Sequence, residues 1–326
     1  MIISRTPLRM SFVGGGSDLP VFYRRHGGAV VSTTINRYVY ITVNAKFDQR
    51  IRVSYSRTEE VKSVDKIQHP LVREALKCVK IEGGVEITSI ADIPAKGTGL
   101  GSSSAFTVGL LNALHAHAER HAAAEQLARE SCEIEIERCG EPIGKQDQYA
   151  SAYGGLNYIQ FLPNDSVIVE PIICKRDTIA RLEESLLVFY TGLTRSASTI
   201  LRRQQASVRA GRKKQDALKK MVALAGDLKS ELHRNQADSF GEIIHENWLL
   251  KRSLAEGISN LRIDDWYSKA RAAGARGGKL LGAGSGGFLM FYAPRDRHEA
   301  ITKALADLRP IPFRFEPQGS KILFVH

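Results

Sequence analysis

Between residues 28 and 46 apolar and polar positions alternate, with Val30, Val39, Ile41 and Val43 among the β-formers, and this period of two predicts strand. Segments 51–55 and 85–87 read as further strands. After Gly101 the period changes: Phe106, Leu110, Leu111 and Leu114 recur at spacings of three and four, which predicts a helix. A second helix is expected over roughly 123–139, and Gly154-Gly155 marks a return to strand at 156–161. The apolar run 186–190, ending at Thr191-Gly192, reads as a buried strand. Helical stretches follow near 196–233, 237–257 and 264–273, then a glycine-rich segment at 277–287 and a strand at 288–292. Strands and helices are thus mixed, with no internal repeat. The expected division is an N-terminal domain over 1–183 and a C-terminal one over 184–326.

A chain of 326 residues, 43% hydrophobic and 25% charged, can bury a core in two domains that share a cleft. Its net charge of +11 invites a nucleic-acid reading. Yet the basic residues are scattered, as in Arg202-Arg203 and Arg212-Lys213-Lys214, without interleaved aromatics. The charged 202–220 stretch reads as a solvated helix face, and no nucleic-acid partner is expected. An anionic small substrate drawn into a cleft suits the same charge. Cys78, Cys132, Cys139 and Cys174 form no C-x-x-C pair, and a reducing cytoplasm is the expected location. Cys132 and Cys139, seven apart on a helix, are expected to pack as small apolar residues. No apolar run reaches spanning length and the first residues lack a leader's apolar stretch, so no membrane association is expected. A homodimer is compatible with all of this.

The strongest local signal is Pro94-Ala95-Lys96-Gly97-Thr98-Gly99-Leu100-Gly101-Ser102-Ser103-Ser104-Ala105. Glycines at alternate positions let the backbone approach an anion, and the helix opening at the serines adds unpaired N–H groups and a positive dipole end. Serine hydroxyls can meet phosphate oxygens or a magnesium ion. No lysine follows the glycines, so this is not the G-x-x-x-x-G-K-[ST] loop. Gly282-x-Gly284-x-x-Gly287 fits a dinucleotide fingerprint in isolation, but only 39 residues remain after it, too few for such a domain.

Taken in order, three motifs resemble those of the GHMP kinases, the superfamily of galactokinase, homoserine kinase and mevalonate kinase. They are Pro7-Leu8-Arg9 through Gly14-Gly15-Gly16-Ser17-Asp18, the loop at 97–105, and Lys279-Leu280-Leu281-Gly282-Ala283-Gly284-Ser285-Gly286-Gly287. The resemblance implies a two-domain α+β fold: a β-α-β first domain with a left-handed crossover, and a ferredoxin-like second domain. It implies ATP and Mg²⁺ as cofactors. It places Gly97, Gly99, Gly101, Ser102, Ser103 and Ser104 at ATP, and Arg9 near the transferred phosphoryl group. Asp18, with Gly15, Gly16, Gly284 and Ser285, falls among the acceptor-binding residues.

Gly140-Glu141-Pro142-Ile143-Gly144-Lys145-Gln146-Asp147-Gln148 is similar to the family segment that carries the catalytic aspartate, which puts Asp147 in that role. Phosphoryl transfer to an alcohol needs a group that accepts or orients the hydroxyl proton, and an aspartate after a tight turn can do this. The family also has a helix glutamate that ligates magnesium together with a loop serine, here Ser103. Glu130, Glu133, Glu135 and Glu137 compete for that place, and gapless matching on Gly140 selects Glu135. Helical spacing agrees: Glu135 shares a face with Ala128, Cys132 and Cys139, whereas Glu137 aligns with Glu130 and Glu133.

The stretches at 14–20 and 144–149 most resemble the bacterial D-glycero-D-manno-heptose 7-phosphate kinases. The expected reaction is phosphorylation of the anomeric hydroxyl of a sugar phosphate, for nucleotide-activated heptose and surface polysaccharide. Arg195, within Thr191–Ser196, is expected at the acceptor's phosphate. An L-fucokinase-like free-sugar kinase is the alternative enzyme, and a non-catalytic sugar- and ATP-binding regulator is the alternative of another class.

Overall fold

Two long strands, β1 (Ile2–Val13) and β2 (Gly28–Ala45), pair antiparallel along most of their length and anchor the larger sheet of this computed structural model. The structure describes residues 1–93, 97–194 and 197–326. From Thr6 to Val13 every residue of β1 is buried, so that part of the strand carries no two-residue alternation to be read in the sequence. Between β1 and β2 lies helix α1 (Pro20–His26), and after them come β3 (Ile51–Ser54), β4 (Thr58–Val61), α2 (Pro70–Val79) and β5 (Val85–Ala91). β5 pairs antiparallel with residues 39–45 of β2 and parallel with β3.

Helix α3 (Ser102–His117) lies against β1 and β2, where the Ser4 hydroxyl donates to the Gly109 carbonyl at 2.7 Å. Leu110, Leu111 and Leu114 are fully buried there, and Ile41 of β2 lies beside Gly109. The helix expected over 123–139 is α4 (Ala124–Cys132) followed by a π-helical turn at Glu133–Arg138. In that turn Cys139 N–H donates five residues back, to Ile134 O at 2.9 Å. Such wide turns tend to mark functional positions. Cys132 is buried in the core and Cys139 packs partly against it, and all four cysteines are free. Then come α5 (Gln146–Tyr153), β6 (Leu156–Phe161), β7 (Val167–Pro171) and α6 (Arg176–Ser185). β6 pairs with residues 28–33 of β2, so the two halves of β2 carry different neighbours.

The second sheet contains β8 (Leu186–Tyr190), β9 (Gly277–Leu280), β10 (Phe288–Tyr292) and β11 (Arg309–Pro310) in the antiparallel order β11-β8-β10-β9. Numbered along the chain this is 4-1-3-2, the ferredoxin-like order. Its helices are α7 (Ala197–Ala210), α8 (Arg212–His233), α9 (Phe240–Ser253), α10 (Leu261–Ala272) and α11 (His298–Ala304). The single helix expected over 196–233 is broken at Gly211, whose backbone is extended. Helix α10 starts at Leu261, earlier than expected, because the Asn260 side chain caps it by accepting from Ile263 N–H at 3.1 Å. The glycine-rich segment begins not as loop but as strand β9.

The two sheets share a core at Phe12, whose ring meets Phe240 edge-on with centroids 5.2 Å apart. A ring pair of this kind contributes about 0.5–1.5 kcal/mol beyond its buried area. The end of the chain crosses back: Phe315 bridges to Ile35, and β12 (Lys321–Val325) forms the edge of the first sheet beside β1. Among the described residues no helix is long and apolar enough to cross a membrane.

Candidate active site

An open cleft of about 280 Å³ lies where the glycine/serine loop, the end of β1, the turn before α5 and the 282–286 loop converge. Gly97, Gly99, Gly101, Ser102, Ser103 and Ser104 all line it. Gly101 precedes α3 with a left-handed backbone, φ 74°, and no side chain caps the helix. The first N–H groups of a 16-residue helix are therefore left for a ligand, at the positive end of its dipole. The loop is held in place from behind. A Cβ on Gly99 would strike the Leu281 carbonyl, and one on Gly282 would strike Gly99, so the second and third motifs touch backbone to backbone.

Arg9 and Asp147 face this helix end. Arg9 donates from Nε to Asp147 Oδ1 at 2.8 Å and from Nη2 to Oδ2 at 2.7 Å, a two-pronged ion pair. Its Nη1 donates to the Gly99 carbonyl at 2.6 Å, and its backbone N–H to Leu100 O at 3.0 Å. One guanidinium thus ties β1, the phosphate loop and α5 together. A Cβ at Gly101 would sit 3.3 Å from Asp147 Oδ2, which shows how closely loop and carboxylate approach. Asp147 stands in the first turn of α5.

Asp18 caps the same helix. Its Oδ2 accepts from Gln146 N–H at 3.3 Å and its Oδ1 from Gly16 N–H at 2.9 Å. Burial raises its pKa above the usual carboxylate range, and the nearby Asp147 charge adds to this; the two N–H donors and Lys251 oppose it. Gly15, Gly16 and Gly284 line the cleft beside it. Ser285, expected among the acceptor-binding residues, is turned away. Its hydroxyl donates to the Gly257 carbonyl and its N–H to Ile258 O, so its polar groups serve to anchor the third loop. Arg195 and Pro94–Lys96 lie outside the described residues.

Glu135 sits behind the serines, 1% exposed. Its Oε1 accepts from Ser103 at 3.1 Å and Thr107 at 2.9 Å, and its Oε2 from Ser104 at 2.7 Å and from Gln148. Burial outweighs these donors and pushes its pKa up to about 7. Among the four competing glutamates it alone is buried: Glu137 is exposed, Glu133 pairs with Arg138, and Glu130 bonds His115. A carboxylate with only neutral donors, beside the hydroxyls of a phosphate loop, is a hard oxygen set that fits Mg²⁺. Among the described residues no cluster of three or more acidic, histidine or cysteine side chains is built to hold a metal by itself. An ion here would need phosphate oxygens as further ligands.

Three cleft residues escaped the sequence reading. Lys251 lies in the last turn of α9 with no motif around it. Lys279 heads the third motif, and its Nζ clasps the Ser11 and Phe12 carbonyls of β1 at 2.7 and 3.0 Å. Gln146 precedes Asp147 and lines the cleft.

Residues 69–155 match the GHMP kinases N terminal domain, and residues 228–309 match the GHMP kinases C terminal domain, together more than half of the chain. The chain belongs to the GHMP kinases. This GHMP kinase is 28% identical, over 93% of both chains, to D-glycero-alpha-D-manno-heptose 7-phosphate kinase of Campylobacter jejuni. It superposes with TM-score 0.82 and 28% identity, over all of both chains, on a D-glycero-D-manno-heptose 1-phosphate kinase from Bacteriodes thetaiotaomicron. It is 25% identical to the bifunctional fucokinase/GDP-fucose pyrophosphorylase of Arabidopsis thaliana, across 88% of this chain and 29% of that protein.

Proposed function

We propose that this GHMP kinase transfers the terminal phosphoryl group of ATP to the anomeric hydroxyl of D-glycero-D-manno-heptose 7-phosphate, giving the 1,7-bisphosphate. The observation that carries the reading is the Arg9–Asp147 pair set against the uncapped start of α3, with Asp18 one helix turn-start away. Phosphoryl transfer requires positioning and charge stabilisation at one point, and this arrangement offers both. The names of the similar proteins favour a heptose phosphate over other acceptors.

In this reading Gly97, Gly99, Gly101 and Ser102–Ser104 hold the ATP phosphates with backbone N–H groups and hydroxyls. Two lone-pair directions of Asp147 are taken by Arg9, and the remaining ones are free to take the proton of the acceptor hydroxyl as its oxygen attacks phosphorus. Arg9 fixes that carboxylate and adds positive charge where negative charge builds up. Ser103 and Glu135 would hold Mg²⁺, which when bound neutralises phosphate charge. Asp18 accepts from sugar hydroxyls, and Gly15, Gly16 and Gly284 shape the acceptor's bed; Arg195, expected at the acceptor's phosphate, lies outside the described residues. We take 1–183 as an ATP-binding domain and 184–326 as a second one; the separation of the strands into two sheets supports a division of this kind, with β12 crossing back and the boundary inside α6. A reaction fed by ATP and four free thiols suits the cytoplasm.

A panel of sugars and sugar phosphates, scored for ADP release with ATP and Mg²⁺, tests the proposal. Heptose 7-phosphate should give the highest kcat/KM. Preference for L-fucose or another free sugar would replace the acceptor while keeping the kinase, and sugar-independent silence would favour a binding protein.

A further inference from the structure

Contacts run across the cleft in a line. Glu135 touches Ser103 and Ser104 at the start of α3; Gly101 abuts Arg9 and Asp147; Gln146, next to Asp147, is bonded by Asp18; and Gly15 and Gly16 follow. Beside Gly15 and Gly16 stands Lys251. It is 6% exposed, lines the cleft, and among the described residues makes no ion pair. Its Nζ donates to the Gly15 carbonyl at 3.2 Å and to Gln204 Oε1 at 3.1 Å.

These are long, neutral contacts for an ammonium group that has left water, and one of its three N–H bonds is unspent. The contrast with Lys279 is instructive, since that lysine closes on two β1 carbonyls and clasps the sheets together. Gln204 is fully buried, and its Nε2, with two N–H bonds, has no partner among the described residues. The two side chains meet at Gly16: a Cβ there would lie 3.1 Å from Lys251 Nζ and collide with Gln204 Nε2. Ser11 Oγ, which lines the cleft, is likewise buried and unpartnered. Unsatisfied buried donors are costly, and their clustering on one wall points to a ligand that accepts hydrogen bonds. The Asp18 charge reaches Lys251 but makes no ion pair with it, so the buried ammonium still has a place for an anion.

We propose that Lys251 and Gln204, brought together over Gly16, are the seat of the acceptor's own phosphate. This rests on the reading of the cleft as that of a kinase for a phosphorylated sugar. The anion belongs to the acceptor rather than to ATP because Lys251 bonds Gly15 and meets Gly16, whose N–H holds Asp18, whereas Arg9 and Asp147 abut the phosphate loop at Gly101. Burial lowers the Lys251 pKa to about 8, a penalty that a bound phosphate would offset.

The test is the ratio of kcat/KM for heptose 7-phosphate to kcat/KM for the unphosphorylated heptose, in the wild type, Lys251→Met and Gln204→Glu. The first substitution removes the charge without a cavity, and the second sets a carboxylate against the phosphate. Each should lower the ratio at least about tenfold, the scale of one lost charge-assisted hydrogen bond. The KM for ATP should hold, and ATP should still raise the melting temperature, which reports a folded protein. A high wild-type ratio left intact in both variants overturns the seat and leaves the sugar-phosphate reading standing. A wild-type ratio near one overturns that reading and the seat with it. A rise in the KM for ATP, equal for both acceptors, would assign Lys251 to the nucleotide instead.

Discussion

Replacing Glu135 by glutamine should change how the stability of the protein depends on pH. In the folded protein the Glu135 carboxyl titrates at about 7, against 4.5 for an ordinary glutamate, because burial outweighs its four neutral donors. Between these two values the folded chain holds a proton that the unfolded chain has released. Wild-type stability therefore falls as pH rises: the contribution is present below about 4.5 and lost above about 7. At about 1.4 kcal/mol per tenfold change in proton affinity, the whole effect is about 3 kcal/mol. The amide of Glu135→Gln cannot titrate, whereas Asp18 and every other group is common to both proteins and cancels in the difference. Urea unfolding in EDTA from pH 4.5 to 8 measures it. The wild-type stability minus that of the variant should decline by about 3 kcal/mol across the range. Added Mg²⁺ should flatten the decline if the ion supports the ionised carboxylate. Parallel curves within about 0.5 kcal/mol, a typical error of such differences, would refute the reasoning.

The same residue bears on the metal: Glu135→Gln should raise the Mg²⁺ concentration needed for half-maximal turnover far more than Glu137→Gln, and the reverse order would exclude Glu135 as the ligand. Asp147→Asn should lower kcat by at least about 10²-fold, the scale of general-base loss. The asparagine amide would also face an Arg9 N–H with a donor, so full activity would remove Asp147 from the mechanism. Gly99→Ala should raise the KM for ATP and lower the melting temperature, since its Cβ meets the Leu281 carbonyl; Gly226→Ala, with nothing within 4 Å on α8, should be neutral or stabilising by up to about 1 kcal/mol. Equal behaviour of the two would disprove the packed-loop account.

Much of the site was legible because backbone-binding chemistry leaves strong local marks. The alternate glycines and serines before an apolar helix announced the α3 helix end, and a proline-glycine turn announced Asp147. Glu135 was reachable because one face of its helix is small and apolar, although the π turn beginning at Glu133 shifts the helical register. Lys251 was not legible: a basic residue in the last turn of a helix is commonplace, and only tertiary packing sets it beside Gly16. Ser285 shows the converse, a polar residue inside a glycine motif whose hydroxyl is committed to Gly257. In the fold, β1 was hidden by burial on both faces, and the break at Gly211 by the strong helical character on either side. The return of β12 to the first sheet pairs the two ends of the chain, a contact that no local pattern encodes.

The most direct test of the account is a ³¹P NMR measurement of the purified protein with ATP, Mg²⁺ and D-glycero-D-manno-heptose 7-phosphate. The account predicts loss of the ATP γ-phosphate signal, appearance of ADP, and a new phosphate resonance coupled to the anomeric proton, with the 7-phosphate retained. An unchanged spectrum, or a new phosphate on any other carbon, would contradict it.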